Sequence, residues 1–141
     1  CISSLNAQTN IVCTNPLAEE VISGNYNPSL YLSDTIINHP DSIVQGIYTK
    51  LSTDSHKSYL LKLASFHNRN TGSDTISDTR GIGATRKWIY SMFESFSANN
   101  QNRLIPSYLQ FDEDICSMSR HKNVFAVLPG IDTASKGIII I

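Results

Sequence analysis

Histidines and carboxylates are the side chains of this sequence best suited to bind a metal or move a proton. The four histidines are His39, His56, His67 and His121. None of them lies four residues from another ligand on a predicted helix, the spacing that places two ligands on one helix face. His39 and Asp41 form a His-x-Asp pair, but Pro40 between them indicates a turn. His67 follows Phe66 at the end of a predicted helix, where a cation suits the helix dipole, so we interpret it as a capping residue.

A short acidic cluster offers a second candidate for chemistry. Asp112, Glu113 and Asp114 are consecutive, and His121 follows seven residues later. Paired carboxylates can bind a metal or act as acid and base. Adjacent carboxylates in a polar loop are more often solvated, and the sequence favours that interpretation here.

Gly81, Ile82 and Gly83 stand at the start of a predicted helix, as the glycines of phosphate-binding loops do. The third glycine and the Lys-Ser/Thr sequence of a phosphate-binding loop are missing here. The two glycines also follow a loop, whereas those of a phosphate-binding loop follow a strand. We therefore expect the glycines to let a loop turn tightly into a helix. The sequence also has no Gly-x-Ser-x-Gly nucleophile motif.

Arg69 is the most prominent single residue, because it lies in a loop of Asn, Thr, Gly and Ser from Asn68 to Ser73. An Arg fork in such a loop can clamp a substrate carboxylate or tie the loop to backbone carbonyls. The second role is the favoured one. The residues alone therefore predict no catalytic, metal-binding or substrate-binding set.

Two helices and three strands are predicted to position these residues. Hydrophobic periodicity predicts the helices over about 54–65 and 82–97, with Arg86 and Lys87 off the apolar face of the second. Strands are predicted over about 104–111, 122–128 and 137–141, the last apolar at Ile138–Ile141. Residues 8–50 are rich in turn signals and read as an irregular extension lying against a domain, with short helical or extended pieces allowed at 16–22 and 41–48. The order predicts an α/β fold, with residues 51–141 as part of an α/β sandwich.

The amino-acid composition and charge of the chain limit the classes of protein to which it can belong. The 141 residues are 40% hydrophobic and 16% charged, with a net charge of -1, which is typical of a globular domain. Lys and Arg do not cluster, so nothing predicts nucleic-acid binding. No apolar stretch approaches the length of about 18 residues that a membrane span needs.

The first residues indicate export. Residues 1–7 resemble the end of a signal peptide, with Ala7 as the last residue before cleavage. Alternatives are a lipoprotein modified at Cys1 and a cytosolic protein cut at random. Cys13 and Cys116 are then a disulfide pair in an oxidising compartment or two free thiols.

Three segments resemble the amino-terminal part of the co-catalytic zinc exopeptidases of metallopeptidase family twenty-eight. They are YLLKLASFHNRNTGSDT (59–75), TRGIGATRKWIYSMF (79–93) and KNVFAVLPGIDTASKGIIII (122–141). The positions that match the order of that family are Leu63, Phe66, Arg69, Gly72, Ser73, Gly81, Ile82, Ala84, Trp88, Ile89, Asn123, Val124, Ala126, Leu128, Pro129 and Gly130. The resemblance covers about residues 55–141.

The resemblance implies a three-layer α/β/α sandwich with a mixed sheet and a two-zinc site whose first His and Asp follow the last strand. The zinc ligands and the general-base Glu would all lie outside these 141 residues. It also implies an exported aminopeptidase that acts on peptides, of which this chain is an inactive piece. Arg69 and Ser73 would at most border its pocket.

The sequence also allows other functions. Within the family they are a glutaminyl cyclase-like transferase and a carboxypeptidase. Outside it they are a non-catalytic α/β binding module and a cytosolic structural domain. The oligomeric state is not predicted.

Overall fold

A computed structural model describes residues 8–132 and the backbone of 138–140. The predicted signal remnant at 1–7, including Cys1, lies outside the described residues. Residues 133–137, Ile141 and the side chains of residues 138–140 also lie outside the described part of the chain.

Four helices and four strands make up the described chain. In chain order they are β1 (Thr9–Cys13), α1 (Pro16–Ile22), α2 (Pro40–Lys50), α3 (Thr53–Ser65), α4 (Gly81–Ala98), β2 (Ile105–Ile115), β3 (Met118–Pro129) and β4 (Ile138–Ile140), with a 3-10 turn at Pro28–Tyr31 between α1 and α2. Helix α3 coincides with the helix predicted over about 54–65, and α4 with that over about 82–97.

The strands form one sheet in the order β1-β2-β3-β4, and every neighbouring pair is antiparallel. Strands β2 and β3 are a long hairpin, paired without interruption from Ile105↔Val127 to Asp112↔Arg120. Cys116 and Ser117 connect them with φ of 54° and 63°. Two consecutive positive φ angles are typical of the type I′ turn, whose twist matches that of the strands.

The hairpin is longer than predicted. The sequence places strands over about 104–111 and 122–128, whereas β2 continues to Ile115 and β3 begins at Met118. Acidic residues at 112–114 and a Cys-Ser turn lack the usual strand and turn signals. Pairing with the opposite strand holds these residues in extended conformation despite their low intrinsic preference for it.

The main core cluster joins the amino-terminal elements to the hairpin. Its buried side chains are Ala18 and Val21 of α1, Tyr26, and Ile105 and Val127 of the hairpin. Strand β1 pairs with β2 along the edge of the sheet. Helices α1 and α2 lie where the sequence allows short pieces at 16–22 and 41–48, whereas β1 was not predicted; β1 and α1 are integral to the sheet and its core.

Helix α1 begins where a side chain caps it. The Asn15 side chain accepts a hydrogen bond from the Leu17 N–H at 3.1 Å, which satisfies one free amide of the first turn. Its amide group donates to the Pro106 carbonyl at 2.8 Å. The same residue therefore starts the helix and fixes it to β2.

Aromatic contacts join α3 to α4. Trp88 of α4 lies 6.1 Å, between ring centroids, from both Tyr59 and Phe66. Phe66 is buried at the carboxyl end of α3. The end of α3 therefore lies close to α4, and the loop that connects the two helices begins and ends near α4.

The structure shows a mixed α/β fold, as the sequence predicts at that level. The described strands pair only antiparallel, so the parallel pairs of a mixed sheet are not among them. Within the described residues, no helix is long and apolar enough to cross a bilayer. Helix α2 has no buried residue and presents its apolar side chains to solvent.

Candidate functional site

The loop 67–80 carries much of the resemblance, and short hydrogen bonds within the loop organise its first half. The Asn70 side-chain oxygen accepts the Gly72 N–H at 2.8 Å. The Ser73 hydroxyl donates to the Asn70 carbonyl at 2.6 Å and accepts the Ile82 N–H of α4 at 2.9 Å. Ser73 thus caps a free amide in the first turn of α4, where a hydroxyl oxygen is a favoured acceptor.

Asp74 organises the second half of the loop. Its Oδ1 accepts the backbone N–H groups of Ile76 and Ser77, both at 2.9 Å. The other carboxylate oxygen lies 3.5 Å from Nε of Arg80. The Ser77 and Ile76 amides, and then Arg80, hold the pKa of the Asp74 carboxyl below its usual value, because each stabilises the charged form.

Glycines allow this loop to contact the start of α4 directly. Gly81 has a φ of 75°, and a Cβ there would lie 2.4 Å from the Asp74 carbonyl oxygen. A Cβ on Gly83 would lie 2.4 Å from the carbonyl carbon and oxygen of Thr75. The structure thus supports the tight-turn interpretation of the Gly81-Ile82-Gly83 sequence.

The same loop also contacts the tip of the β2–β3 hairpin. A Cβ on Gly72 would lie 2.7 Å from the Cβ of Cys116. The close approach needs a glycine, and the sequence analysis missed it because 44 residues separate the two positions. Cys13 and Cys116 are both free thiols in the structure.

The structure does not place Arg69 in either predicted role. Its side chain is exposed, and it has no hydrogen bond or ion pair with the residues described. The loop is tied instead by Asn70, Ser73 and Asp74. The role that the sequence favours for Arg69 belongs to its neighbours.

The acidic cluster lies in strand β2 and not in a solvated loop. Asp112 binds Arg120 on the facing strand, with Oδ1 2.9 Å from Nε, and accepts a 2.9 Å hydrogen bond from the Asn10 amide. Arg120 first, and then Asn10, lower the pKa of the Asp112 carboxyl. The expectation of a loop was wrong, because cross-strand pairing extends the hairpin through these residues.

His121 is buried, with 2% of its surface exposed. Its ring lies 5.7 Å from that of Phe111, its partner on β2. Nε2 lies 2.9 Å from the Glu113 carbonyl and 3.2 Å from that of Met118. The imidazole therefore donates to backbone near the hairpin turn, and Nδ1 is buried without a partner among the described atoms.

The other histidines are dispersed. His39 begins α2, and its Nδ1 accepts the Asp41 N–H at 3.3 Å. Pro40 and Asp41 are the first residues of α2, so His39-Pro40-Asp41 is a capped helix start and not the turn that the sequence predicts. His56 is exposed on α3, and His67 follows α3 with a φ of 59°.

A cleft of about 690 Å³ lies between α4 and the β2–β3 hairpin. Its basic side chains are Arg86 and Lys87 of α4 and Arg120 and Lys122 of β3. We call it the basic cleft. The sequence analysis placed Arg86 and Lys87 off the packed face of α4, and the grouping with β3 depends on tertiary structure alone.

Comparison with known proteins relates the chain to fungal proteins named probable zinc metalloproteases. One from Phaeosphaeria nodorum is 35% identical over 72 residues, which is 51% of this chain and 14% of the relative. One from Pyrenophora teres f. teres is 35% identical over 72 residues and 16% of its own length. A second from that organism is 26% identical over 112 residues, 77% of this chain and 23% of the relative.

These alignments therefore cover less than a quarter of each relative. No family model matches the chain. No solved structure gives a significant match either. The comparisons thus support a likeness to metalloproteases and leave the type of peptidase open.

The zinc that those names imply has no ligand set in the described part of the chain. Among residues 8–132, no three side chains of His, Cys, Asp or Glu come together in a way that could hold a metal ion. A catalytic zinc usually has three protein ligands at about 2.0–2.3 Å. The described residues do not fit a zinc site, and we derive no catalytic step from them.

Proposed function

We propose that this chain is part of a zinc-dependent exopeptidase that removes amino-terminal residues from peptides. The observation that carries the proposal is the 35% identity over 72 residues to proteins named probable zinc metalloproteases. The resemblance to metallopeptidase family twenty-eight supplies the finer assignment as an aminopeptidase with two zinc ions. Residues 8–132 act in this proposal as a scaffold for a site formed elsewhere.

The contacts among the three segments of the resemblance support a scaffold role. Loop 67–80 packs on the start of α4 through Gly81 and Gly83 and on the hairpin tip through Gly72. Helix α4 in turn packs on β2 and β3. Segments that are distant in sequence thus form one structural unit.

The positions of two helices support the three-layer arrangement. Val21 of α1 packs with Ile105, whereas Tyr90 of α4 stacks on Tyr108 with ring centroids 4.7 Å apart. Residues 105 and 108 lie on one regular stretch of β2, and residues an odd number apart point to opposite faces of a strand. We infer that α1 and α4 cover opposite faces of the sheet.

The strand order supports a location for the active site, next to the end of β4. Strand β4 pairs with β3 through Val127↔Ile140 and Leu128↔Ile139. In the resembling family the first zinc ligands come directly after this strand. Helix α4 and the hairpin would then hold in place the strand that leads into the metal site. We also propose that the whole protein is exported.

The experiment is an activity assay of the whole protein that this gene encodes. We expect it to release the amino-terminal residue of short peptides and aminoacyl-p-nitroanilides, to lose activity with a chelator, and to regain it with zinc. Amino-terminally acetylated peptides are the matched control and are expected to resist hydrolysis. Cleavage of the acetylated peptides at internal bonds, cyclisation of amino-terminal Gln, or release of carboxyl-terminal residues would each overturn the aminopeptidase assignment.

A further inference from the structure

The basic cleft combines four cationic side chains, of which two are neutralised within the chain. Lys87 forms an ion pair with Asp78 and donates to the Ile76 carbonyl at 2.8 Å. Arg120 is bound to Asp112. The cleft therefore depends on its other two cations for any net attraction of an anion.

Arg86 and Lys122 are these two cations. Among the residues described, neither has a carboxylate within 4.0 Å. Arg86 is half-buried, and no described residue accepts a hydrogen bond from its guanidinium. Burial lowers the pKa of the Arg86 side chain, because desolvation disfavours the charged form.

A half-buried guanidinium without a partner is uncommon, since buried Arg side chains are normally paired. Its five N–H donors form a rigid fork that matches the oxygens of a carboxylate or phosphate. Arg86 is thus ready to bind an oxyanion that the described chain does not provide.

Two tyrosines hold the second cation in place. The Nζ of Lys122 lies 5.4 Å from the centre of the Tyr108 ring, within the range of a cation–π contact. Tyr108 in turn stacks on Tyr90 of α4, with an angle of 16° between the rings. The lysine is therefore positioned at the cleft by a platform that spans β2 and α4.

The remaining walls suit a ligand larger than a bare ion. Ser117, Ser119 and Thr75 line the cleft with hydroxyl groups, and Met118 adds an apolar surface. The volume of about 690 Å³ lies within the range of about 300–1,000 Å³ that is typical of small-molecule sites. Polar groups near two cations and an apolar wall favour a small organic anion.

We propose that the basic cleft binds a small molecule through a carboxylate or phosphate group, which Arg86 holds in two hydrogen bonds and Lys122 neutralises. This inference goes beyond the proposed peptidase function and does not depend on it. It requires no zinc and no residue outside 8–132.

The test is a titration of the 141-residue chain with inorganic phosphate and, separately, with succinate, followed by amide chemical shifts in NMR spectra. Sodium chloride at equal ionic strength controls for screening. We expect saturable shifts at Ser119, Lys122 and Arg86. Tighter binding of phosphate than of succinate would assign a phosphate-bearing ligand, and the reverse would assign a carboxylate.

Three variants connect the binding to the cleft. Arg86→Gln should weaken the affinity at least 10-fold, and Lys122→Gln several-fold. Arg69→Gln is the matched control, because it removes one Arg charge from an exposed position outside the cleft. Its affinity should equal that of the wild type.

Arg86→Lys keeps the charge and removes the fork, so it should bind more weakly than the wild type and more tightly than Arg86→Gln. If Arg86→Gln does not fold, Arg86→Lys and the hairpin variant Lys122→Gln decide the matter. Shifts that follow sodium chloride alone, an absence of saturation with both anions, or an equal loss in Arg69→Gln would overturn the proposal.

Discussion

The contact between loop 67–80 and α4 predicts a large effect of Gly83→Ala. A Cβ at this position would meet the Thr75 carbonyl at 2.4 Å, whereas ordinary contact begins at 3.4 Å. The obstacle is backbone, so the loop must move by about 1 Å, a form of overpacking that costs about 1–3 kcal/mol. We expect that movement also to break the hydrogen bond from the Gly83 N–H to the Asp74 carbonyl.

The net magnitude follows from three contributions. The lost hydrogen bond adds about 0.5–1.5 kcal/mol to the cost. Alanine in place of glycine in a helix returns about 1 kcal/mol. We therefore expect Gly83→Ala to lower the free energy of unfolding by about 1–3 kcal/mol, which at a typical slope for a small protein lowers the urea midpoint by about 1 M.

The assay is urea unfolding followed by the fluorescence of Trp88, the single tryptophan, which packs against Phe66 near this loop. Gly46→Ala is the matched control, because Gly46 is also helical and a Cβ there would meet nothing within 4 Å. That control should be unchanged or up to about 1 kcal/mol more stable. A Gly83→Ala protein as stable as Gly46→Ala would refute the close approach of loop and helix.

Three further predictions concern stability and association. Ser97 is buried and its hydroxyl donates to the Leu104 carbonyl, so Ser97→Ala should destabilise by about 1–3 kcal/mol in urea unfolding, whereas the exposed Ser91→Ala should cost less. Because the folded-state pKa values of Asp74 and Asp112 are lowered, the stability that they add is present above the unfolded pKa of about 3.9 and lost as pH falls through the folded values; urea midpoints of Asp112→Asn and the wild type should differ at pH 7 and converge as the pH falls below the folded-state pKa of Asp112. Ile43 and Ile47 of α2 are 45% and 56% exposed on one apolar face that favours self-association. The double variant Ile43→Lys/Ile47→Lys should therefore sediment as a smaller species than the wild type, while Ile76→Lys, at an isolated loop position, should not.

Local patterns predicted α3 and α4 well because their signals lie within a few turns of helix. Ser52 accepts the Ser55 N–H and begins α3, and apolar residues at helical spacing predict the extent of α4. The tight turn at Gly81 and Gly83 was predicted for the same reason. In each case, a short stretch of sequence contains the physical cause.

The parts that were not predicted depend on distant residues. Thr9–Cys13 becomes a strand because it pairs with Asp112–Leu109, about 100 residues away. The acidic residues after Phe111 stay extended because Arg120 faces Asp112. Arg86 lines the basic cleft only because the hairpin returns beside α4. None of these contacts leaves a local pattern.

We propose that residues 8–132 are a scaffold for a metal site formed by other residues. Measuring zinc binding to the 141-residue chain tests this proposal directly. The measurement is a competition titration with a chromogenic chelator, with the whole gene product as the positive control. The account predicts no stoichiometric zinc on the 141-residue chain and about two ions per molecule of the whole protein. One or two tightly bound ions on the 141-residue chain would contradict it.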